Sequence, residues 1–209
     1  MQLPPSRRRS RACTDLLHSL HYLLVKPSLV IIGLGNPGTS YAATRHNLGF
    51  QAVDVLQEHF GTGEWQEKEK FRSIISEARV VTVPVLLVKP QTYMNCSGEA
   101  IHKIVEFYKL DPSQKVLVIC DDVDLLQGET RVRRNGGPGT HNGLKSIVDV
   151  LGEAFARLRI GLGTPPPGSD LANWVLSVPS KEEQKVFART LQELPEIVRQ
   201  YVLEENPAK

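Results

Sequence analysis

Hydrophobic residues come in short unbroken runs, and the stretches between them carry helical spacing. Leu29-Val30-Ile31-Ile32 and Val116-Leu117-Val118-Ile119-Cys120 show no polar alternation, the pattern of strands covered on both faces. Between them, Val53, Leu56 and Phe60 recur at i, i+3 and i+7. They predict a helix that opens at His46-Asn47, runs to about Phe60 and stops at Gly61 and Gly63. Residues 64–70 are polar and read as a connection. Phe71 to Val88 holds β-rich runs broken at Pro84, a meander of short strands. Residues 89–95 read as a loop. A second helix follows, with Ile101, Ile104, Val105 and Tyr108 on one face and Ser97 or Asn95 as its cap. Thr130 to Arg134 alternates polar and apolar, an edge strand with Arg131 and Arg133 on one face. The glycine-rich stretch from Asn135 opens a helix to about Leu151. Ala156 to Gly163 is a strand that enters the stiff Pro165-Pro166-Pro167 loop, and a last helix covers about Lys181 to Leu203, kinked or split at Pro195. Apolar strands alternating with helices predict an α/β fold, a single domain whose sheet is covered by helices on both faces.

Composition narrows the class. With 41% hydrophobic residues in 209, the chain can bury one sizeable core, and no apolar run approaches a membrane span. Three cysteines form neither a C-x-x-C pair nor an even-numbered framework, which suits a reducing compartment and gives no metal site. Charge is uneven. In residues 1–27, Arg7, Arg8, Arg9, Arg11 and Lys26 face one acid, Asp15, so this segment is +4 in a chain of net +2 and residues 28–209 are net −2. Residues 1–27 therefore read as an extension, disordered or targeting-like, ahead of a domain spanning 28–209. Nucleic-acid binding by this domain requires a local basic patch rather than net charge.

Two readings compete for the stretch from Val30 to Asn47. Gly33-Leu34-Gly35-Asn36-Pro37-Gly38 fits the G-x-G-x-x-G dinucleotide fingerprint after a strand. Against it, Pro37 has no N–H for a phosphate cradle, and the acid expected at a strand end is absent, Asp54 lying within a helical pattern. The other reading takes Asn36, Tyr41, His46 and Asn47 as polar groups delivered to a strand end. Asp121-Asp122 ends the second buried strand, and functional groups of such sheets collect at the carboxyl ends of strands. A histidine oriented by a carboxylate is a competent base for water, and Asn amides supply donors to a developing oxyanion. That kit suits hydrolysis of a labile ester. The glycine-rich loop before Asn142 also offers backbone donors to an anion.

The chain resembles the bacterial-type peptidyl-tRNA hydrolase family. The resemblance covers about residues 29–205 in five blocks. They are Gly33–Gly38 with Tyr41 and Thr44-Arg45-His46-Asn47, then Pro90–Gly98, Asp121–Asp124, Gly139–Lys145 and Arg157–Gly163. It implies an enzyme that hydrolyses the ester between a peptide and the 3′ end of its tRNA, a monomer with a mixed, largely parallel central sheet, using no metal or cofactor. On the family's pattern, His46 activates water and Asp121 orients it. Asn36 contacts the peptide beside the ester and separates N-blocked from free aminoacyl-tRNA. Tyr41, Tyr93, Met94, Asn95 and Asn142 line the site. Arg133 and Arg159 clamp the tRNA 5′-phosphate, with Lys145 on the acceptor stem, while Arg157 reads as ordinary solvated charge. Pro138 and Thr140 depart from the family's freer run of glycines. The localisation implied is cytoplasmic, or organellar if residues 1–27 are a transit peptide. Some relatives of the fold are splicing factors that bind RNA without hydrolysis; the intact set Asn36, His46, Asn95, Asp121 and Asn142 favours the enzyme.

Overall fold

The computed structural model describes residues 26–205, and the expectation for the N-terminal extension lies, but for its last two residues, outside them. Seven strands form one sheet in the order β2-β3-β4-β1-β5-β7-β6. The strands are β1 (Leu29–Gly33), β2 (Gln66–Lys68), β3 (Ser73–Val80), β4 (Val83–Pro90), β5 (Val116–Asp122), β6 (Thr130–Arg133) and β7 (Ala156–Gly161). β4, β1, β5 and β7 run parallel at the centre. β2, β3 and β6 pair antiparallel at the edges. The sheet is therefore mixed, with its parallel part confined to the middle.

The unbroken apolar runs take the central places. Every residue of β1 and of β5 is buried, because helices cover both faces. Helix α1 (Leu48–Phe60) and the long α6 (Lys181–Glu205) pack on one side with Ile31, Leu117 and Leu158. Helices α2 (Ser97–Tyr108) and α4 (Asn142–Leu151) pack on the other with Ile32, Val118 and Leu144. Two short helices, α3 (Pro112–Lys115) and α5 (Leu171–Val175), complete the set.

Several local expectations change. Gln66–Lys68 is a strand, not a connection. Pro84 does not break its run: it is the second residue of β4, just before the β1 ladder begins at Leu29 and Val85. β4 continues through Pro90, which shortens the expected loop, and Met94–Cys96 is a 3-10 turn. Neither Ser97 nor Asn95 caps α2; Cys96 holds that position without a side-chain bond, and the Ser97 hydroxyl donates to the Met94 carbonyl. α6 is one helix through the buried Pro195.

β1 lies between β4 and β5, and the chain leaves β1 towards one edge of the sheet and β5 towards the other. The carboxyl ends of these neighbouring strands thus form a crevice, the usual ligand position in an open α/β sheet.

Candidate active site

Glycines bring the histidine to the crevice. A Cβ on Gly33 would lie 2.1 Å from the Gly49 carbonyl oxygen, and one on Gly49 would lie 2.5 Å from that of Ile119. Only glycines at both positions let the start of α1 cross the ends of β1 and β5 so closely. The 3-10 turn Arg45–Asn47, which leads into α1, is thereby held beside the end of β5. The same contact removes the dinucleotide reading. Gly33 and Gly35 serve packing, against Gly49 and the Phe50 ring, and no helix starts between the end of β1 and the turn at Arg45, so none opens on the glycine loop.

The centre is one carboxylate between two imidazoles. His46 Nδ1 lies 2.9 Å and 3.1 Å from the two Asp121 carboxylate oxygens. His141 Nε2 lies 3.1 Å from Oδ1 of the same group. The tautomers follow from the partners. His141 Nδ1 accepts the backbone N–H groups of Gly143 (3.1 Å) and Leu144 (3.3 Å), so its proton sits on Nε2 and points at Asp121. Asp121 accepts from His46 Nδ1–H as well, which leaves His46 Nε2 as the lone-pair nitrogen. Burial alone would raise the Asp121 pKa, but the two histidines outweigh it and hold the carboxyl well below its usual range. Asp121 is anionic with both oxygens engaged.

His141 was not among the residues singled out from sequence, although it stands in a quoted block. Its ring is the N-cap of α4, so the backbone donors expected to meet an anion there are bound to an imidazole. The signal was present: a histidine directly before a helix start can cap it.

Asn36 is braced as firmly. Its backbone N–H donates to Asn47 Oδ1 and its carbonyl accepts from Asn47 Nδ2, both at 2.9 Å. Its side-chain Oδ1 accepts the Met94 N–H at 2.8 Å. The amide orientation is thereby fixed, and Nδ2 remains as the donor. Asn47 is a buried brace.

A cavity of about 320 Å³ opens over this centre, lined by His46, Asp121, His141, Asn142, Arg159 and residues of α5 among others. Asn36 borders a neighbouring hollow of about 230 Å³ with Asn47, Phe50 and Gln91. The remaining sequence candidates are spread around these spaces. Tyr41 is half-buried in the loop before the histidine turn, Tyr93 is 61% exposed, and Asn95 is exposed. Met94 is buried, and a Cβ on Gly143 would lie 2.5 Å from its sulfur, so it supports the start of α4 from beneath. Lys145 is exposed on α4 and borders neither cavity. Arg133 and Arg159 border a second cavity of about 500 Å³ with Arg134 and Arg157. Arg159 borders both this cavity and the one over His46, and its Nε lies 2.6 Å from Asp122 Oδ2. Arg157 is not solvated charge; it is 2% exposed.

Arg45 was also missed. It is buried, donates to Glu183 from Nη2 (2.9 and 2.7 Å) and Nε (3.2 Å), donates to Ser177 Oγ (2.6 Å) and packs over the Trp174 ring. It ties the histidine turn to the α5–α6 segment that walls the cavity. Partners so distant in sequence leave no local signal.

His46, Asp121 and His141 are also the group of potential metal ligands found among the described residues. Their bonding does not suit a cation. A neutral imidazole that ligates through Nε2 carries its proton on Nδ1, where His141 already accepts two backbone donors.

A buried His–Asp pair at the carboxyl ends of an α/β sheet, beside a cavity lined by amide and guanidinium donors, defines a hydrolase. A family model described as peptidyl-tRNA hydrolase matches residues 30–209. The peptidyl-tRNA hydrolase of Chloroflexus aggregans is 46% identical over 84% of this chain and 93% of its own. The chloroplastic peptidyl-tRNA hydrolase of Arabidopsis thaliana is 44% identical over 84% of this chain and 60% of its own. The crystal structure of peptidyl-tRNA hydrolase from Acinetobacter baumannii superposes with a TM-score of 0.77 at 34% identity, covering 87% of this chain and 93% of that one. The chain belongs to the peptidyl-tRNA hydrolase family, and its reaction is the hydrolysis of peptidyl-tRNA. The splicing-factor and dinucleotide readings find no support in these comparisons.

Proposed function

We propose that His46 Nε2 is the general base of this hydrolysis, taking a proton from the water that attacks the ester carbonyl between the peptide and the tRNA 3′ end. One observation carries the proposal: His46 Nδ1 is bonded to an anionic, fully engaged Asp121, while its ring borders the cavity. Asp121 orients the imidazole and stabilises the imidazolium formed as the proton moves. His141 fixes Asp121 with a second bond, to Oδ1. The imidazolium then protonates the departing 3′ oxygen, so the base is restored at the end of each turnover. Asn142 borders the same cavity and suits a donor to the developing oxyanion. Tyr41, Tyr93 and Asn95 are the contacts for the peptide and the 3′ end. Arg133 and Arg159 hold the tRNA 5′-phosphate, with Lys145 touching the acceptor stem.

Asn36 selects the blocked substrate. Its fixed Nδ2 can donate to the first peptide unit, a group that free aminoacyl-tRNA lacks, and an unmade buried bond costs on the order of 1–3 kcal/mol. The chain acts as a monomer in the cytoplasm, a reading that the family resemblance carries and that the free thiols of Cys96 and Cys120 suit. No helix among the described residues is long and apolar enough to cross a membrane. The test is hydrolysis of N-acetyl-aminoacyl-tRNA beside unblocked aminoacyl-tRNA. The wild type cleaves the blocked substrate preferentially, and Asn36→Ala narrows the ratio. An unchanged ratio in the variant removes Asn36 from selection.

A further inference from the structure

Helix α2 starts without a cap of its own. Cys96 holds the capping position and makes no side-chain bond there. Gly98, the second residue of the helix, is buried, and its N–H has no partner within the helix. The acceptor comes from a different helix: the Gly98 N–H donates to Ser146 Oγ of α4 at 2.9 Å. A side chain just before a helix usually fills this role. Here the bond joins two elements instead.

The two helices meet closely at that bond. A Cβ on Gly98 would overlap the Ser146 carbonyl, so only glycine allows the approach. The first turn of α4 is seated in the same way on the turn that precedes α2, since a Cβ on Gly143 would lie 2.5 Å from the Met94 sulfur. Met94 in turn donates its N–H to Asn36 Oδ1 at 2.8 Å. The braced Asn36, the turn Met94–Cys96 and the start of α4 thus form one contiguous block. Asn142 is the first residue of α4, and Ser146 follows it by four, one turn on along the same face. Asn142 is exposed, so the seating of the α4 backbone sets where its amide stands. Ser146 itself borders neither the cavity over His46 nor the hollow beside Asn36.

We propose that Ser146 is a positioning residue for the hydrolysis. By capping α2 from α4, its hydroxyl holds the first turn of α4, and with it the Asn142 amide, in register with Asn36 and the Met94 turn. Without the hydroxyl, the Gly98 N–H is left buried and unpaired, which favours a shift of α4 against α2 that brings it to water. The proposal rests on the reading that Asn142 donates to the developing oxyanion, and adds the bond that keeps that donor aimed.

The experiment measures kcat and KM on full-length N-acetyl-aminoacyl-tRNA. The proteins are wild type, Ser146→Ala, Ser146→Thr, Asn142→Ala and the double variant Ser146→Ala/Asn142→Ala. Assays run below the thermal midpoint of every variant, so that lowered stability alone does not register in kcat. Asn142→Ala lowers kcat by about 100- to 1,000-fold, as the loss of one oxyanion donor does. Ser146→Ala lowers kcat by about 10-fold, short of the roughly 100-fold that a misplacement of about 1 Å can cost. Its KM stays that of the wild type, because the groups that grip the tRNA are untouched. Ser146→Thr keeps the oxygen and turns over as the wild type. In the Asn142→Ala background, removing the Ser146 hydroxyl lowers kcat by less than about 2-fold, since the donor it aimed is gone. A Ser146→Ala kcat equal to the wild type overturns the proposal. So does a loss shared by Ser146→Thr, or one that multiplies in full with Asn142→Ala. An Asn142→Ala kcat equal to the wild type removes instead the oxyanion reading, and the proposal with it.

Discussion

Asp121 shows how much of the site rests on single side chains. Its Oδ1 receives both His46 and His141 and its Oδ2 receives His46, so the carboxylate that holds His46 is itself held by a second imidazole. Asp121→Asn keeps the size and an oxygen that can accept both ring N–H groups, as Oδ1 does, but it removes the charge and sets an amide N–H group where Oδ2 accepts from His46. Turnover should fall by about 10²- to 10⁴-fold and the pH–rate profile should change, since the charge that stabilises the imidazolium formed during the step is gone. A rate and profile equal to the wild type would make Asp121 only a strand-end acid. The depressed carboxyl also predicts a stability effect. Its contribution is present above the unfolded aspartate value of about 3.9 and is lost as pH falls through the lower folded value. Denaturant titrations in that acid range should show a steeper loss for wild type than for Asp121→Asn. At this scale the sequence was most legible where residues stand in short blocks. His46, Asp121 and Asn36 could be read from their places after apolar runs. His141 and Arg45 could not be given roles, because their partners are set by the fold.

Elements were legible where packing acts on both faces. β1 and β5 read as unbroken apolar runs because they are central, and α1 and α2 read as helices because each buries one stripe. β2 was invisible: an outer strand of Gln66, Glu67 and Lys68 buries no face, so no apolar alternation marks it. The prolines misled for a related reason. Pro84 and Pro90 stand near the two ends of β4, where a missing N–H disturbs the ladder least. The close crossing of α1 over β1 depends on Gly33 meeting Gly49, and a pairwise fit of glycines far apart in sequence carries no periodic signal. α6 makes its own prediction. Burial pushes the Tyr201 hydroxyl up to about 12, with Glu205 adding to the shift and Arg134 opposing it. A raised pKa stabilises the fold fully below the unfolded value of 10.0, and that stability is lost as pH rises towards the folded value. Tyr201→Phe should therefore lose less stability than wild type between pH 10 and pH 12 in denaturant titrations. Parallel curves would refute the assignment.

At the scale of the molecule, the cavity over His46 and the arginine-lined cavity adjoin and share Arg159. The body of the chain is net negative, so affinity for a polyanion has to come from this local basic face. Arg133→Ala should raise KM for full-length peptidyl-tRNA and reduce the magnitude of the log K against log salt slope by about one. An N-acyl aminoacyl ester of a short 3′ fragment should be cleaved as before; an equal loss on both substrates would place Arg133 in the chemistry instead. The central claim is that His46 performs the chemical step and leaves binding to other groups. It is tested most directly by measuring turnover and Kd of His46→Ala on full-length N-acetyl-aminoacyl-tRNA. The account predicts a fall in kcat of about 10²- to 10⁴-fold, the usual cost of losing a general base, with Kd unchanged. Turnover near that of the wild type, with the ester still cleaved, would contradict it.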